Sequence, residues 1–319
     1  MLRNGFIAVA IYLLFLLTAC DSATDSSNSN NGINHDPNTV KIITSDIDLF
    51  WTMIDSNTEI TSTVVRDDYF NKGSSGLKTM YERKIKSYTT FANSYNAYFN
   101  YYQSIRDNTL SVPADSIRSI LLAIKDIYDS AHYVDIYFLI GTMSTGGTVA
   151  NNKMLIGTEL FSKAPDSPTD ELNDWHRSVI RESTELAAIV AHELIHVQQL
   201  NYGNTLLEQS IVEGAADFIG ELVSGKLINT VAHDYGNQNE AALWNEFKDV
   251  MNGTDITNWL YNGSQSLGRP ADLGYYIGYK ICEAYAAKIA DQKQVVKDII
   301  EISDFTAFLN ASAYAAKFQ

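Results

Sequence analysis

The sequence predicts a helix-rich α+β fold that contains a small mixed or antiparallel sheet. Apolar residues recur with helical spacing over most of the chain after residue 41, whereas patterns typical of strands are mostly confined to residues 134–161. No internal repeat is found, and residues 41–319 are long enough for one large domain or for two lobes. The segments that we expect to be helical are 77–106, 115–131, 171–200, 206–223, 240–251, 271–290, 295–302 and 305–318.

Two apolar runs predict the main strands of the sheet. Residues 134–140 and 153–158 are bounded by polar or small residues, and the segment 141–152 between them is rich in Gly, Ser and Thr. The two runs are expected to form a hairpin whose second strand faces a cleft, where an edge strand can bind an extended peptide. An ordinary hairpin within a mixed sheet is the alternative. Residues 40–44 predict a further short strand.

The most informative motif of the chain is formed by His192, Glu193 and His196. Residues four apart lie on one face of a helix, so both imidazoles can reach one metal ion. Glu193 projects about 100° away on the same turn, where it can approach the open side of the metal without ligating it. Two neutral nitrogen ligands beside a carboxylate are typical of a hydrolytic zinc site.

The helix that carries this motif is expected to be buried. Apolar residues 186–191 precede the motif and Val197 follows it. Unpaired polar groups in such a helix cost about 1–3 kcal/mol each, and a metal ion would satisfy all three motif side chains. The alternative is a pair of core histidines that form hydrogen bonds with the backbone.

A third protein ligand is expected on the next predicted helix. Six residues after His196 stands Tyr202, and Gln199 occupies the position where a glycine would be needed, so the three-histidine metzincin pattern is absent. Glu213 follows His196 by 17 residues, which leaves room for a turn that ends the first helix at Gly203. Glu213 is therefore the candidate third ligand.

A second acid on the same predicted helix face is Asp217, four residues after Glu213. A metal-bound imidazole usually donates its other N–H to a carboxylate or carbonyl, and Asp217 is placed to accept that bond from His192 or His196. The small residues 214–216 between the two acids would let this helix approach the zinc helix closely. The alternative for both acids is a solvated pair of like charges.

Together these motifs resemble the gluzincin arrangement of thermolysin-like zinc peptidases. The run His-Glu-Leu-Ile-His followed by Glu-Gly-Ala-Ala-Asp is more similar to a bacterial family of predicted zinc-dependent proteases, to which gliding-motility lipoproteins are distantly related. The resemblance covers roughly residues 130–290. It implies a zincin-like metallopeptidase domain with one Zn²⁺, the ligands His192, His196 and Glu213, the general base Glu193, and Asp217 as hydrogen-bond partner of a ligand.

The motifs leave open which group stabilises the oxyanion. No counterpart of the catalytic histidine of thermolysin-like enzymes is found downstream. Tyr275 and Tyr276 are the candidates, because they lie in a predicted helix and a phenol near the zinc could donate to an oxyanion. Arg269 and His233 are weaker candidates, and a packing role is the alternative for all four.

The N-terminal residues predict export and lipid anchoring. Arg3 precedes an apolar run, 6–17, that is shorter than the ~20 residues of a membrane span. Leu17-Thr18-Ala19-Cys20 looks like a bacterial lipobox, so residues 1–19 are expected to be a signal peptide and Cys20 the lipidated residue. Residues 20–40 are expected to form a flexible tether. A plain secretory signal or an N-terminal anchor is the alternative.

These signals predict a protein of the bacterial cell envelope, anchored by lipid to the outer rather than the inner membrane, with its domain outside the cytoplasm. If Cys20 is acylated, only Cys282 remains, so no intramolecular disulfide is expected. The net charge of −15 argues against a nucleic-acid partner. The sequence does not define the oligomeric state.

Residues 41–319 are predicted to form the catalytic domain, with a helical part at about 41–131, a metal-site core at about 132–290 and C-terminal helices at about 291–319. The predicted function is that of a membrane-anchored zinc metallopeptidase that hydrolyses a peptide or protein substrate with zinc-activated water and Glu193 as general base. The alternative is a non-catalytic envelope-assembly lipoprotein that retains a zinc site. An intact base and three ligands favour the enzyme, because structural zinc sites usually have four protein ligands.

Overall fold

Helices dominate the computed structural model, which describes residues 33–144, 146–263 and 268–319. Together with a small mixed sheet, they confirm the helix-rich α+β class. The helices are α1 (Ser45–Ser56), α2 (Ser62–Val64), α3 (Ser75–Met80), α4 (Tyr88–Ala97), α5 (Phe99–Ser104), α6 (Arg106–Leu110), α7 (Ala114–Ile127), α8 (Asp174–Val179), α9 (Leu186–Gln198), α10 (Leu206–Ser224), α11 (Thr230–Val250), α12 (Leu273–Ala286), α13 (Gln292–Ile300) and α14 (Phe305–Ser312). The strands are β1 (Ile42–Ile43), β2 (Asp135–Leu139), β3 (Gly147–Ala150) and β4 (Lys153–Gly157).

The sheet has the strand order β1-β2-β4-β3. β2 runs parallel to both β1 and β4, whereas β3 is antiparallel to β4 and forms the edge. The predicted hairpin of residues 134–140 with 153–158 is therefore wrong, because these two strands are parallel neighbours. The hairpin partner of β4 is β3, which lies in the segment that we predicted to be a loop. Asn151 and Asn152 connect β3 to β4 with positive φ of 49° and 55°, as a two-residue hairpin turn requires.

The N-terminal helices pack around a cluster of aromatic rings. Phe50 contacts the rings of Tyr69, Phe91 and Tyr102 at centroid distances of 5.5–6.2 Å. The hydroxyls of Tyr69 and Tyr102 donate to the carbonyls of Ile140 and of the glycine that follows it, each at 2.9 Å. The aromatic cluster therefore supports the carboxyl end of β2, where the chain turns toward the edge strand.

The predicted helix 77–106 is interrupted in the structure. A π-helical turn, Tyr81–Ile85, follows α3, and Lys86 then adopts a left-handed φ of 57°. A new helix, α4, begins after Ser87, whose hydroxyl accepts a bond from the N–H of Thr90. The apolar period continues across this break, which explains why the sequence pattern alone predicted one helix.

Glycines allow α10 to pack closely against two other helices. A Cβ on Gly278 of α12 would overlap the carbonyl of Ser210, and a Cβ on Gly214 would overlap the backbone of α12. Helix α9 is instead approached by Gly220, where a Cβ would lie 3.3 Å from the backbone N of His192. The prediction that residues 214–216 bring α10 close to α9 is thus wrong for Gly214, which faces α12.

Residues 33–319 cluster into one compact unit. Within its described part, no helix combines the length and the apolar character that crossing a membrane would require. The predicted signal peptide, Cys20 and the first part of the predicted tether, up to residue 32, lie outside the described residues. In the remaining part, residues 33–40, Asn34 forms an isolated bridge with Tyr133 and Val40 is 2% exposed, so this part packs on the domain and is not a free tether.

Candidate metal centre

Two helices bring the three predicted ligands together. α9 presents His192 and His196 one turn apart, and their Nε2 atoms lie 3.0 Å from each other. Glu213 projects from the middle of α10, with its Oε2 at 3.5 Å from His192 Nε2 and 3.2 Å from His196 Nε2. All three side chains are at most 13% exposed. The cluster is therefore nearly closed to solvent.

The donor set fits one zinc ion. Zinc bonds of about 2.0–2.1 Å in a tetrahedral site place the ligand atoms roughly 3.4 Å apart, which matches the three observed separations. Both Nδ1 atoms form other hydrogen bonds, so both Nε2 atoms face the Glu213 carboxylate. Two imidazole nitrogens and a carboxylate that point at one another suit a shared cation, and His192, His196 and Glu213 would supply three of the four ligands of a zinc ion.

Asp217 lies behind the first histidine. Its Oδ1 accepts a hydrogen bond of 2.7 Å from His192 Nδ1, and its side chain is fully buried. Asn229 donates from Nδ2 to Asp217 Oδ2 at 2.6 Å. The structure thus places Asp217 where the sequence predicted it, and this bond orients His192 with Nε2 toward the other ligands.

Gln199 holds the second histidine. Its Oε1 accepts a hydrogen bond of 2.7 Å from His196 Nδ1, and its Nε2 donates to the carbonyl of Val212 at 2.7 Å. In the sequence, Gln199 indicates only that the metzincin pattern is absent. Its place three residues after His196, close to the end of α9, is the signal by which this role could have been found.

The charges of the site stabilise one another. Burial lowers the pKa of His192, but its hydrogen bonds to Asp217 and Glu213 outweigh burial and raise that pKa well above the ordinary value. Burial raises the pKa of Glu213, yet the two histidines hold it well below its usual range. The negative carboxylate and the two imidazoles therefore favour each other's charged forms within this cluster.

Glu193 lies beside the edge strand of the sheet. A Cβ on Gly147 of β3 would overlap the Glu193 carboxylate, so the absence of a side chain there makes room for this residue. Burial raises the pKa of Glu193, while the histidines and Lys84 lower it in part. Lys84 comes from the π-helical turn Tyr81–Ile85, so the N-terminal helices contribute a cation to the surroundings of the site.

The two predicted tyrosines have different positions. The ring of Tyr275 stacks on the imidazole of His192, with a centroid distance of 6.2 Å and an interplanar angle of 18°. Tyr276 faces α11 instead, where its hydroxyl donates to Asn237 Oδ1 at 3.3 Å and its ring packs against His233. Successive residues of a helix point about 100° apart, so the structure brings Tyr275 to the site but not Tyr276.

The weaker candidates do not reach the ligands directly. Arg269 forms an ion pair of 2.7 Å with Glu246 and lies over the ring of Trp259. His233 is buried among Tyr276 and Tyr279. The contacts of Arg269 and His233 are therefore with residues that pack the fold, which agrees with the packing role considered for both.

Tyr261 reaches the site although the sequence analysis did not identify it. Its hydroxyl donates a short hydrogen bond to Glu213 Oε1, and its ring meets the ring of Tyr275 edge to face at 6.2 Å. Tyr261 lies between α11 and α12, in a segment without a helical or strand pattern. No sequence signal distinguishes it from the other tyrosines of the chain.

Two histidine nitrogens and a carboxylate oxygen that converge beside a second buried carboxylate are the groups of a zinc hydrolase. Residues 174–303 match the model of a family described as "Predicted Zn-dependent protease (DUF2268)", which confirms the resemblance to such a family. No curated protein and no solved structure matches the chain. The matched segment contains α9, α10 and α12, with all three ligand candidates, but neither the sheet nor Lys84.

Proposed function

We propose that this protein is a zinc metallopeptidase with one Zn²⁺ held by His192, His196 and Glu213. The observation that carries the proposal is the convergence of these three donor atoms, within 4.8 Å of one another, next to the buried carboxylate of Glu193. A site with three protein ligands leaves one position open for water, as catalytic zinc sites do. The match to a family described as a predicted Zn-dependent protease supports the same reaction class.

In this proposal the bound zinc acts as a Lewis acid that polarises a carbonyl and lowers the pKa of water. Glu193 accepts the proton of the attacking water and transfers it to the leaving amine. Its carboxylate is buried, which raises its pKa toward the range where both steps are favourable. Asp217 and Gln199 keep the two imidazoles in the orientation that ligation requires.

An extended peptide or protein segment is the substrate that this site fits. Gly157 donates from its backbone N–H to the carbonyl of Gly146 at 2.7 Å. Hydrogen-bonded pairs alternate along an antiparallel ladder, so the backbone groups of Gly147 and Val149 point to the outer side of the edge strand. A peptide that adds to this edge would run past Glu193, which contacts Gly147.

The test is to measure zinc and hydrolysis in the full chain, with a quenched fluorescent peptide pool as substrate. We expect one zinc per chain and cleavage by the wild type. Glu193→Gln should retain the metal and lose activity by at least about 100-fold, because it removes the general base. The exposed neighbour variant Glu182→Gln serves as the control. Near-zero metal in the wild type would overturn the proposal.

We also propose that the protein is anchored by lipid on Cys20 in the bacterial cell envelope. The support is the lipobox-like sequence, followed by a polar segment. We expect the wild type in the membrane fraction and Cys20→Ser in the soluble fraction. An unmodified Cys20 in mass spectra of the native protein would contradict this proposal.

A further inference from the structure

Tyr261 lies between the solvent and the ligand cluster. Its hydroxyl donates to Glu213 Oε1, while Oε2 of the same carboxylate faces the two histidines. Tyr261 is 40% exposed, whereas Glu213 is 7% exposed. The side chain of Tyr261 therefore extends from the protein surface to the carboxylate of Glu213.

The backbone holds Tyr261 in an uncommon conformation. Tyr261 and Asp272 have left-handed φ of 54° and 61°, which few residues other than glycine adopt. The N–H of Asp272 donates to Asn262 Oδ1 at 2.9 Å, and the N–H of Asn262 donates to Asp272 Oδ1 at 3.4 Å. The buried Trp259 accepts a bond of 2.8 Å from the N–H of Gly274.

These contacts hold the backbone on both sides of Tyr261, in the segment between α11 and α12. Strained backbone of this kind persists only when the surrounding structure determines it, and it is concentrated at functional sites. The other aromatic neighbour, Tyr275, stacks its ring on His192, whereas Tyr261 directs its O–H at a ligand. Of these two tyrosines, it is therefore Tyr261 whose hydroxyl donates to a ligand candidate, Glu213.

We propose that Tyr261 is a catalytic residue that donates a hydrogen bond to the oxygen of the scissile carbonyl as negative charge develops on it. The inference rests on the proposed peptidase function. In the substrate-free protein Glu213 Oε1 accepts this bond, and in the complex the substrate oxygen replaces it. The phenol keeps its proton throughout, and the proton that leaves with the amine is the one that Glu193 takes from water.

The test compares the wild type with Tyr261→Phe in the full chain. The loss of one oxyanion donor should lower kcat by about 100- to 1000-fold with little change in KM. Zinc per chain should equal that of the wild type. A phosphinic analogue of the cleaved peptide, which mimics the tetrahedral geometry, should bind the variant more weakly by a similar factor. Tyr261→His keeps a donor on an aromatic ring and should recover part of kcat.

Tyr285→Phe is the matched control, because it also removes a hydrogen bond from a phenol to a carboxylate, that of Asp298 at 2.8 Å. If the wild type is active and Tyr261→Phe has the same kcat, the role assigned to Tyr261 is wrong, whereas the peptidase proposal still stands. The same holds if the variant loses zinc and regains full activity with excess zinc, since Tyr261 would then only hold Glu213. A wild type that binds no zinc or cleaves no peptide would instead overturn the peptidase proposal itself.

Discussion

The two histidines of the metal centre are held by different kinds of group. His192 donates to the carboxylate of Asp217, whereas His196 donates to the neutral amide of Gln199. A carboxylate partner makes an imidazole a stronger electron donor than an amide does. The two nitrogens are therefore expected to contribute unequally to metal affinity, with the larger effect on His192.

Replacing Asp217 by Asn tests this difference. The amide oxygen can still accept the bond from His192, but the negative charge is lost. We expect zinc affinity to fall by about 10- to 100-fold, as measured by competition with a chromophoric chelator. Asp298→Asn, which removes a carboxylate that accepts from Tyr285, is the control. Equal affinity in wild type and Asp217→Asn would show that the charge has no part in holding the metal.

Glu159 is a buried carboxylate in the turn that follows β4, beside the loop that leads from β2 to the edge strand. It accepts hydrogen bonds from the N–H groups of Gly141 at 2.8 Å and Met143 at 3.2 Å. Burial raises its pKa to about 7, although these bonds oppose the shift. The folded state therefore binds a proton more tightly than the unfolded state does. This stabilisation is complete below about pH 4.5 and is lost as the pH rises through 7.

Glu159→Gln should remove this pH dependence. Between about pH 4.5 and 7, we expect the free energy of unfolding of the wild type to decline relative to the variant, by up to about 3 kcal/mol. Urea unfolding at several pH values measures the difference. Glu82→Gln, at an exposed position, should behave as the wild type does. Parallel pH profiles for wild type and Glu159→Gln would contradict the expectation.

At the scale of elements, the helices of the metal centre were predictable because their signals are local. The segment 206–223 follows Thr205, and the structure shows Thr205 and Glu208 in a capping box at the start of α10. The apolar run 186–191 likewise predicted the buried helix α9. The cap and the apolar period indicate α10, whereas the continuous apolar run indicates α9, and the spacing of the ligand candidates follows from these two helices.

The edge strand was not predictable in the same way. The sequence of β3, residues 147–150, does not alternate between apolar and polar side chains, and all four residues are half-buried in the structure. Tyr261 depends on a left-handed backbone and on Asp272, 11 residues further along the chain, and Lys84 comes from a π-helical turn. Such features are set by tertiary contacts, which a local pattern does not contain.

Gly147 tests the role of the edge strand. A methyl group there would overlap the Glu193 carboxylate, so Gly147→Ala must displace either this proposed general base or the strand. We expect kcat/KM to fall by about 10-fold or more, because a small misplacement of a catalytic group is costly. Ala150→Ser, on the same strand, should have little effect on peptide hydrolysis. Full activity in Gly147→Ala would show that Glu193 does not depend on this contact.

At the scale of the whole molecule, the candidate site includes residues from outside the segment that matches the family model. Residues 174–303 supply the ligands, but Gly147 and Lys84 come from the part that precedes it. The described sheet and N-terminal helices belong to the same compact unit, 33–319. The surroundings of Glu193 are therefore a property of the whole unit, and we expect the same of the proposed substrate binding.

Truncation tests this dependence. We expect a fragment of residues 33–319 to unfold cooperatively and to hydrolyse peptides as the full chain does. A fragment of residues 174–303 would expose the apolar face of α9, so it should lack a cooperative thermal transition and show no hydrolysis. Thermal unfolding followed by circular dichroism measures the first property and the fluorescent peptide assay the second. Wild-type hydrolysis by the shorter fragment would show that the N-terminal part is dispensable.

The short distance along the chain between the ligands has a consequence for how the protein is assembled. His192 and Glu213 lie on consecutive helices, and the entropy lost on closing a loop grows only with the logarithm of its length. Glu213 follows His196 by 17 residues, so this loop costs less entropy to close than the longer segments that lead to the edge strand and to Tyr261. If the proposed function is correct, we therefore expect the ligand cluster to form before the edge strand and Tyr261 are in place, so that zinc can be bound before the chain is able to hydrolyse a peptide.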